Sequence, residues 1–150
     1  MKLVIQRVNK ASVTVNDVIV GAIQQGLVVL VGITHTDTLD DINWLCHKLI
    51  NLRIFNDESG VMNCSVQQIN GEMLIISQFT LMASTHKGNR PSYIDACKPP
   101  LAEEMYNKFL TQLSLNFVGN IATGIFGANM DIQLTNQGPV TIIIDSKQKV

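Results

Sequence analysis

Charged residues are scarce in this sequence. Only 15% of its 150 residues are Asp, Glu, Lys or Arg, against roughly 25% in a typical soluble domain. The 11 basic and 12 acidic residues leave a net charge of -1, so no overall attraction draws a polyanion to the molecule. A histone-like or tail-driven nucleic-acid binder is therefore excluded, and any contact with nucleic acid must be local. The low charge also favours a surface partly covered by a second copy of the chain.

Long apolar segments are missing as well. The longest apolar run, Leu27 to Ile33 with Gly32 inside it, is far shorter than the roughly 20 residues that a transmembrane helix needs. Gln6 and Arg7 interrupt the apolar start of the chain before it reaches the length of a secretory signal. We therefore expect a cytoplasmic protein that makes no membrane contact.

Paired cysteines and clustered histidines are also absent. The cysteines are odd in number, widely spaced and without a Cys-x-x-Cys pair, which indicates neither a disulfide framework nor a zinc site. We interpret all three as small buried hydrophobic residues. No histidine has a second ligand at metal spacing, so we expect no metal and no cofactor. These residues are Cys46, Cys64 and Cys97, and His35, His47 and His86.

The apolar pattern predicts one domain over residues 1–150, of the α/β class and α+β type. β-branched runs flanking Asn16-Asp17 indicate an antiparallel hairpin, and periods of 3.6 residues indicate two main helices. The pattern also indicates a central strand at 26–33 that is covered on both faces. The predicted strands are 3–8, 12–15, 18–20, 26–33, 53–55, 73–79, 130–134 and 140–144, and the predicted helices are 38–51 and 100–114.

Two polar segments are not explained by secondary-structure propensity. Ser77-Gln78-Phe79-Thr80 places three hydrogen-bonding side chains at the end of an otherwise apolar strand, ahead of the longest loop. Asn136-Gln137-Gly138-Pro139 separates two predicted strands, where proline cannot donate to a ladder. Polar groups at such places are either satisfied internally or face a ligand.

These motifs carry a resemblance that covers essentially the whole chain. The sequence resembles the D-aminoacyl-tRNA deacylases, the D-tyrosyl-tRNA(Tyr) deacylase family. Neither of the two polar motifs departs from the family pattern. The matching segments are Ile5-Gln6-Arg7-Val8, Ala11-Ser12-Val13, Ser77-Gln78-Phe79-Thr80-Leu81, Arg90-Pro91-Ser92 and Asn136-x-Gly138-Pro139-Val140-Thr141.

The resemblance implies hydrolysis of the ester that joins a D-amino acid to the 3′ end of tRNA. It also implies a mixed, largely antiparallel, barrel-like sheet and a homodimer. In that homodimer a cis Gly138-Pro139 peptide enters the partner subunit's pocket and holds the amino-acid α-centre by main-chain groups. An L-isomer would swing its side chain into that dipeptide. By the same resemblance Arg7 braces the Gly-Pro loop, Phe126 and Met130 form pocket walls, and Ala102 lies near the pocket.

The residues themselves leave the attacking group open. No histidine adjoins Ser77 or Thr80, so a Ser-His-Asp arrangement is not indicated, while main-chain N–H groups near Phe79 and Thr80 would suit an oxyanion. Either Thr80 is the nucleophile, or the ribose 2′-hydroxyl assists and Thr80 orients the ester. We favour the second. Local RNA contact is expected from the basic residues of the long loop, Lys87, Arg90 and Lys98.

Two alternatives differ in activity. A relative with a trans Gly-Pro peptide would have a wider pocket and would remove small L-amino acids mischarged on tRNA. A catalytically silent module that binds the tRNA acceptor end would keep the basic residues, but it would be free to lose the two pocket motifs. Both motifs are intact here, which argues against the silent module.

Overall fold

A computed structural model describes residues 1–149. Its two long helices are α1 (Leu39–Asn51) and α2 (Leu101–Asn116), and a short 3-10 helix covers Phe79–Met82. The strands are β1 (Lys2–Val15), β2 (Val18–Ile23), β3 (Gly26–Gly32), β4 (Phe55–Asn56), β5 (Met62–Cys64), β6 (Glu72–Ser77), β7 (Ile121–Thr123) and β8 (Asp131–Asp145). Within this part of the chain no helix is long and apolar enough to cross a membrane.

The long strand β1 organises the sheet. One edge of β1 pairs antiparallel with β3 along its first half and with β2 along its second half, while β8 pairs with the other edge. Strands β3, β6 and β7 continue the sheet in parallel. The hairpin turn between β1 and β2 is Asn16-Asp17, and both residues have positive φ angles, 49° and 65°, as a type I′ turn requires.

The mixed sheet curls until its ends nearly meet. A side chain on Gly21 of β2 would come within 2.6 Å of the Thr123 carbonyl oxygen at the end of β7, so only glycine permits this approach. Alternate residues of β3 and β6 belong to two apolar clusters on opposite faces. The larger cluster is covered by α1 and α2, which contribute Leu45, Leu49 and Phe109.

The predicted fold class, the two helices and the doubly covered central strand are confirmed. Several predicted boundaries were wrong. The two predicted N-terminal strands are one strand, β1, and the two C-terminal strands are likewise one, β8. Strand β6 ends at Ser77, so the predicted extension to Phe79 is instead the start of the 3-10 helix. Helix α2 runs two residues beyond the predicted end, to Asn116.

Candidate active site

A cavity of about 580 Å³ opens at the C-terminal ends of the parallel strands β3 and β6. Segments that are distant in sequence form its walls, including the end of β6, the loop before α2 and the loop before β8. Apolar side chains predominate, with a few polar groups among them, as is common in small-molecule sites. The lining residues used below are Ser77, Gln78, Phe79, Tyr93, Cys97, Lys98, Ala102, Phe126, Ala128 and Met130.

The first polar motif lies on the wall of this cavity. Ser77, Gln78 and Phe79 line it, while Thr80 is the second residue of the 3-10 helix and is half-buried. The Gln78 side-chain amide donates a short hydrogen bond to the Thr80 hydroxyl. Thr80 is therefore held by its neighbour, and no imidazole is hydrogen-bonded to it among residues 1–149.

Main-chain donors are free at the same place. The N–H of Gln78 bonds to the Val31 carbonyl, and the N–H groups of Leu81 and Ala83 bond back into the 3-10 helix. Among the described residues, the N–H groups of Phe79 and Thr80 have no protein acceptor. The first N–H groups of a helix are commonly left without an intrahelical partner, and two such donors side by side suit an oxyanion.

The opposite wall carries the three residues that the resemblance assigned to the pocket. Ala102 is buried on α2, and Phe126 and Met130 line the cavity from the loop before β8. Phe126 packs against Tyr106 with ring centroids 5.6 Å apart, and the Tyr106 hydroxyl donates to the Ile75 carbonyl at 2.9 Å. These contacts fix the wall, although its assigned role in binding substrate stays a prediction.

A thiol also faces the cavity. Burial raises the pKa of Cys97, and the nearby Asp37 carboxylate raises it further. Because the thiolate is the nucleophilic form, this thiol stays protonated and is not suited to attack an ester at neutral pH.

The second polar motif lies away from the cavity of its own chain. Strand β8 bulges here, because Asn136 pairs with Val8 and Thr141 pairs with Gln6. Residues 137–140 therefore form an excursion from the sheet opposite the single residue Arg7. Gly138 and Pro139 are exposed at the tip of this excursion, and the peptide between them is cis, as is Pro99-Pro100. Neither Gly138 nor Pro139 lines the cavity.

Two side chains hold the excursion from inside. The buried guanidinium of Arg7 donates to the carbonyls of Gln137 at 3.2 Å and Gly138 at 3.5 Å, and to Ile54 at 2.6 Å. The Asn136 amide donates to the carbonyls of Arg7 at 3.2 Å and Val140 at 3.1 Å. This role of Asn136 was not predicted from the sequence, where the only signal was its position in the second polar motif.

The three basic residues divide between two positions. Lys98 lines the cavity, whereas Lys87 and Arg90 are exposed on a loop whose base is closed by reciprocal main-chain bonds between Ser84 and Ser92, at 2.8 and 2.9 Å. Tyr93, directly after this loop, lines the cavity and contacts Phe79. Tyr93 was not predicted as a site residue, because no sequence spacing indicates its contact with Phe79.

Metal chemistry is not indicated by the side chains. Within residues 1–149 no group of three or more His, Cys, Asp or Glu side chains is placed to hold a metal ion. The cysteines are unpaired in the same range: Cys46 and Cys97 are buried and Cys64 is half-buried.

Comparisons with known proteins agree with the geometry. The family described as D-Tyr-tRNA(Tyr) deacylase matches residues 4–145. A D-aminoacyl-tRNA deacylase of Flavobacterium psychrophilum is 58% identical over 149 residues, and one of Bacteroides fragilis is 54% identical, with 99% of each chain covered in both cases.

Two solved structures share the fold. A structure described as c-Myc DNA Unwinding Element Binding Protein superposes with a TM-score of 0.92 at 43% identity, covering 97% of this chain and 98% of the other. A probable eukaryotic D-amino acid tRNA deacylase superposes with a TM-score of 0.80, covering 95% of this chain and 97% of the other, at 15% identity. The second likeness concerns the fold alone.

Proposed function

The chain belongs to the D-Tyr-tRNA(Tyr) deacylase family, and from this premise we propose how it hydrolyses the ester of a D-aminoacyl-tRNA. One structural feature supports the proposal above all. Strand β6 ends on the wall of a cavity, and the 3-10 helix after it begins with two main-chain N–H groups that have no protein acceptor among residues 1–149. The enzyme is a hydrolase that proofreads charged tRNA, and tRNA is its macromolecular substrate.

Ester hydrolysis proceeds through a tetrahedral centre whose oxygen carries negative charge. The N–H groups of Phe79 and Thr80 are the proposed donors to that oxygen, since donors placed in advance stabilise the charge as it develops. Gln78 fixes the Thr80 hydroxyl, which orients the ester. The attacking water is assisted by the ribose 2′-hydroxyl beside the ester, because no side-chain base is hydrogen-bonded to Thr80 in residues 1–149.

Chirality is read by a second subunit. Gly138 and Pro139 are exposed at the tip of a braced excursion and do not reach the cavity of their own chain. In the proposed homodimer they enter the partner's cavity, where main-chain groups select the configuration of the α-carbon and ignore the side chain. Phe126, Met130 and Ala102 form the wall facing the substrate. This arrangement accounts for a rigid brace at Arg7 around an otherwise solvent-exposed tip.

The negatively charged tRNA must find positive charge on the protein. The chain as a whole has a net charge of -1, so the phosphates of the acceptor end must meet a local cluster of cations. Lys87, Arg90 and Lys98 are the proposed contacts, with Lys98 at the cavity itself. A solution of moderate salt should therefore weaken binding of tRNA without affecting the ester chemistry.

The direct test is the release of amino acids from tRNA by the purified protein. D-tyrosine, L-tyrosine, L-alanine and glycine are each esterified to their tRNAs, and release is followed under single-turnover conditions. We expect rapid release of D-tyrosine and little release of L-tyrosine or L-alanine. Preferred release of L-alanine would assign the chain to an editing activity for small L-amino acids, and no release from any substrate would indicate a silent binding module.

A further inference from the structure

We infer that Tyr93 and Phe79 form a stacking platform for the nucleobase that precedes the terminal adenosine of tRNA. The inference rests on the proposed function, because it concerns the part of the tRNA that extends out of the cavity when the ester is bound inside it. If the ester lies at the N–H groups of Phe79 and Thr80, the terminal nucleotide occupies the cavity. The next nucleotide then passes the rim, where these two rings lie.

The two rings are in contact and partly exposed. Their centroids are 5.1 Å apart and their planes are inclined by 70°, an edge-to-face contact. Such a contact uses one of the four ring faces, so three stay uncovered by the pair. Tyr93 is 40% exposed and Phe79 56% exposed, although both line the cavity. Exposed aromatic rings are a common means of binding unpaired bases.

Main-chain hydrogen bonds hold the segment around Tyr93 in place. The preceding residue, Ser92, exchanges two main-chain hydrogen bonds with Ser84, and the Tyr93 carbonyl accepts from the Ala96 N–H at 3.1 Å. Next to Ala96, the Cys97 N–H bonds to Ile33 at the end of β3, at 2.9 Å. The ring is therefore presented from an ordered segment, which lowers the entropy lost when a base stacks on it.

The surrounding charge fits a nucleic acid. Residues 83–100 carry three cations and one carboxylate, Asp95, a local charge of +2 in a chain whose net charge is -1. Lys87 and Arg90 lie on the loop that precedes Tyr93, and Lys98 follows it at the cavity. Aromatic faces interleaved with cations are the usual composition of a groove for single-stranded nucleic acid.

The test compares full and truncated substrates. The variants Tyr93→Leu and Tyr93→Phe are assayed on D-tyrosyl-tRNA and on D-tyrosyl-adenosine, which lacks the preceding nucleotide. Tyr93→Leu should lower kcat/KM about tenfold more on the tRNA than on the adenosine ester, since stacking of one base is worth roughly that factor. Tyr93→Phe keeps the ring and should retain the tRNA activity. Val118→Ser, 94% exposed and outside the cavity, is the control.

A second comparison uses the unmodified protein. D-tyrosyl-tRNA with an abasic penultimate nucleotide should lose the same factor with the original enzyme and nothing further with Tyr93→Leu, because one contact cannot be lost twice. Equal losses on both substrates, or additive effects of the abasic site and the variant, would overturn the platform. A failure of the proposed function itself would be distinguishable, because the original enzyme would then cleave neither substrate.

Discussion

At the scale of single residues, the proposed ester hydrolysis depends on main-chain groups and not on a nucleophilic side chain. The donors at Phe79 and Thr80 exist because β6 ends at Ser77 and a helical turn begins, which leaves its first N–H groups unpaired. The Thr80 hydroxyl already accepts a short hydrogen bond from Gln78. Removing a side chain here leaves the donors in place, so each side chain can be tested separately from the main chain.

The variant Thr80→Ala distinguishes the two mechanisms. It removes one orienting hydroxyl but keeps the N–H of residue 80, so turnover should fall about tenfold, corresponding to roughly 1.4 kcal/mol. Single-turnover release of D-tyrosine from tRNA measures the effect. An inactive variant, or an acyl-Thr80 ester trapped from the original enzyme, would instead show that Thr80 attacks the substrate.

The brace at Arg7 leads to a second prediction. Its guanidinium bonds to three main-chain carbonyls and is only 5% exposed. Arg7→Met leaves these acceptors unpaired and should lower the free energy of unfolding by about 2–4 kcal/mol. Arg7→Lys, which cannot span all three carbonyls, should lower it less. Arg53→Met is the matched control, because Arg53 makes a single exposed bond to Asn63.

A role in positioning the loop predicts more than lost stability. At a temperature where Arg7→Lys stays folded, its release of L-tyrosine relative to D-tyrosine should rise, since the excursion at 137–140 is then less firmly held. Unchanged selectivity in a folded Arg7→Lys enzyme would mean that Arg7 serves the fold alone.

The sequence motifs were enough to select candidate site residues, but they did not predict the contacts that these residues make with other segments. Ser77 to Thr80 and Gly138-Pro139 were selectable because polar residues interrupt apolar strands there. The double hydrogen bond of Asn136 and the contact between Tyr93 and Phe79 were not, because each depends on the register of strands or the course of a loop. No local pattern of residues records either contact.

At the scale of helices and strands, hydrogen bonding in the folded chain moved two boundaries that the sequence pattern had predicted. The sequence placed residues 78 and 79 in a strand because alternation continued, yet the N–H of Leu81 bonds to Gln78 and turns the chain into a 3-10 helix. Proline at 139 indicated two C-terminal strands, since it cannot donate to a ladder. Strand β8 is nevertheless continuous, because residues 136 and 141 resume pairing with β1 on either side of the excursion.

The start of α1 carries a pH-dependent contribution to stability. Asp41 accepts from the Thr38 N–H at 2.8 Å and from Lys147 at 2.7 Å. Partial burial acts to raise the pKa of Asp41, but hydrogen bonds from Lys147, Ser146 and Thr38 outweigh it, so the pKa lies well below its usual range. The hydrogen bond and charge of Asp41 in turn raise the pKa of Lys147.

The sign of the effect follows from these shifts. A carboxylate with a lowered pKa stabilises the fold above its unfolded pKa of about 3.9, and the contribution is lost as pH falls further. Asp41→Asn should therefore cost about 1 kcal/mol of unfolding free energy at pH 7, and the cost should shrink below pH 4. The raised Lys147 contributes below its unfolded pKa of about 10.4 and loses its effect at higher pH.

Denaturant unfolding of both proteins from pH 2 to 8 measures this difference. Asp40→Asn is the control, because Asp40 is exposed and, among the described residues, makes no side-chain hydrogen bond to Thr38 or Lys147. A cost that stays constant across this range, or an equal cost in Asp40→Asn, would contradict the assignment.

At the scale of the whole molecule, the cavity and the exposed Gly138-Pro139 tip lie on different parts of one chain. The exposed Gly138-Pro139 tip does not line the cavity of its own subunit. In the proposed homodimer the tip of one subunit would reach the cavity of the other. The interface would also cover exposed apolar side chains such as Ile143 on β8, which is 60% exposed. The central claim is therefore that each active site is shared between two subunits.

Subunit mixing tests that claim most directly. Gly138→Trp enlarges the exposed tip, where an added Cβ would meet the Asn136 Oδ1 at an ordinary contact distance of 3.7 Å. Ala128→Trp fills the cavity. Each homodimer should be inactive. After dissociation and random reassociation, half of the dimers are mixed and contain one intact site. Release of D-tyrosine from tRNA should then recover to about a quarter of the original activity. Activity no higher than that of the two homodimers would show that the site is built within one chain.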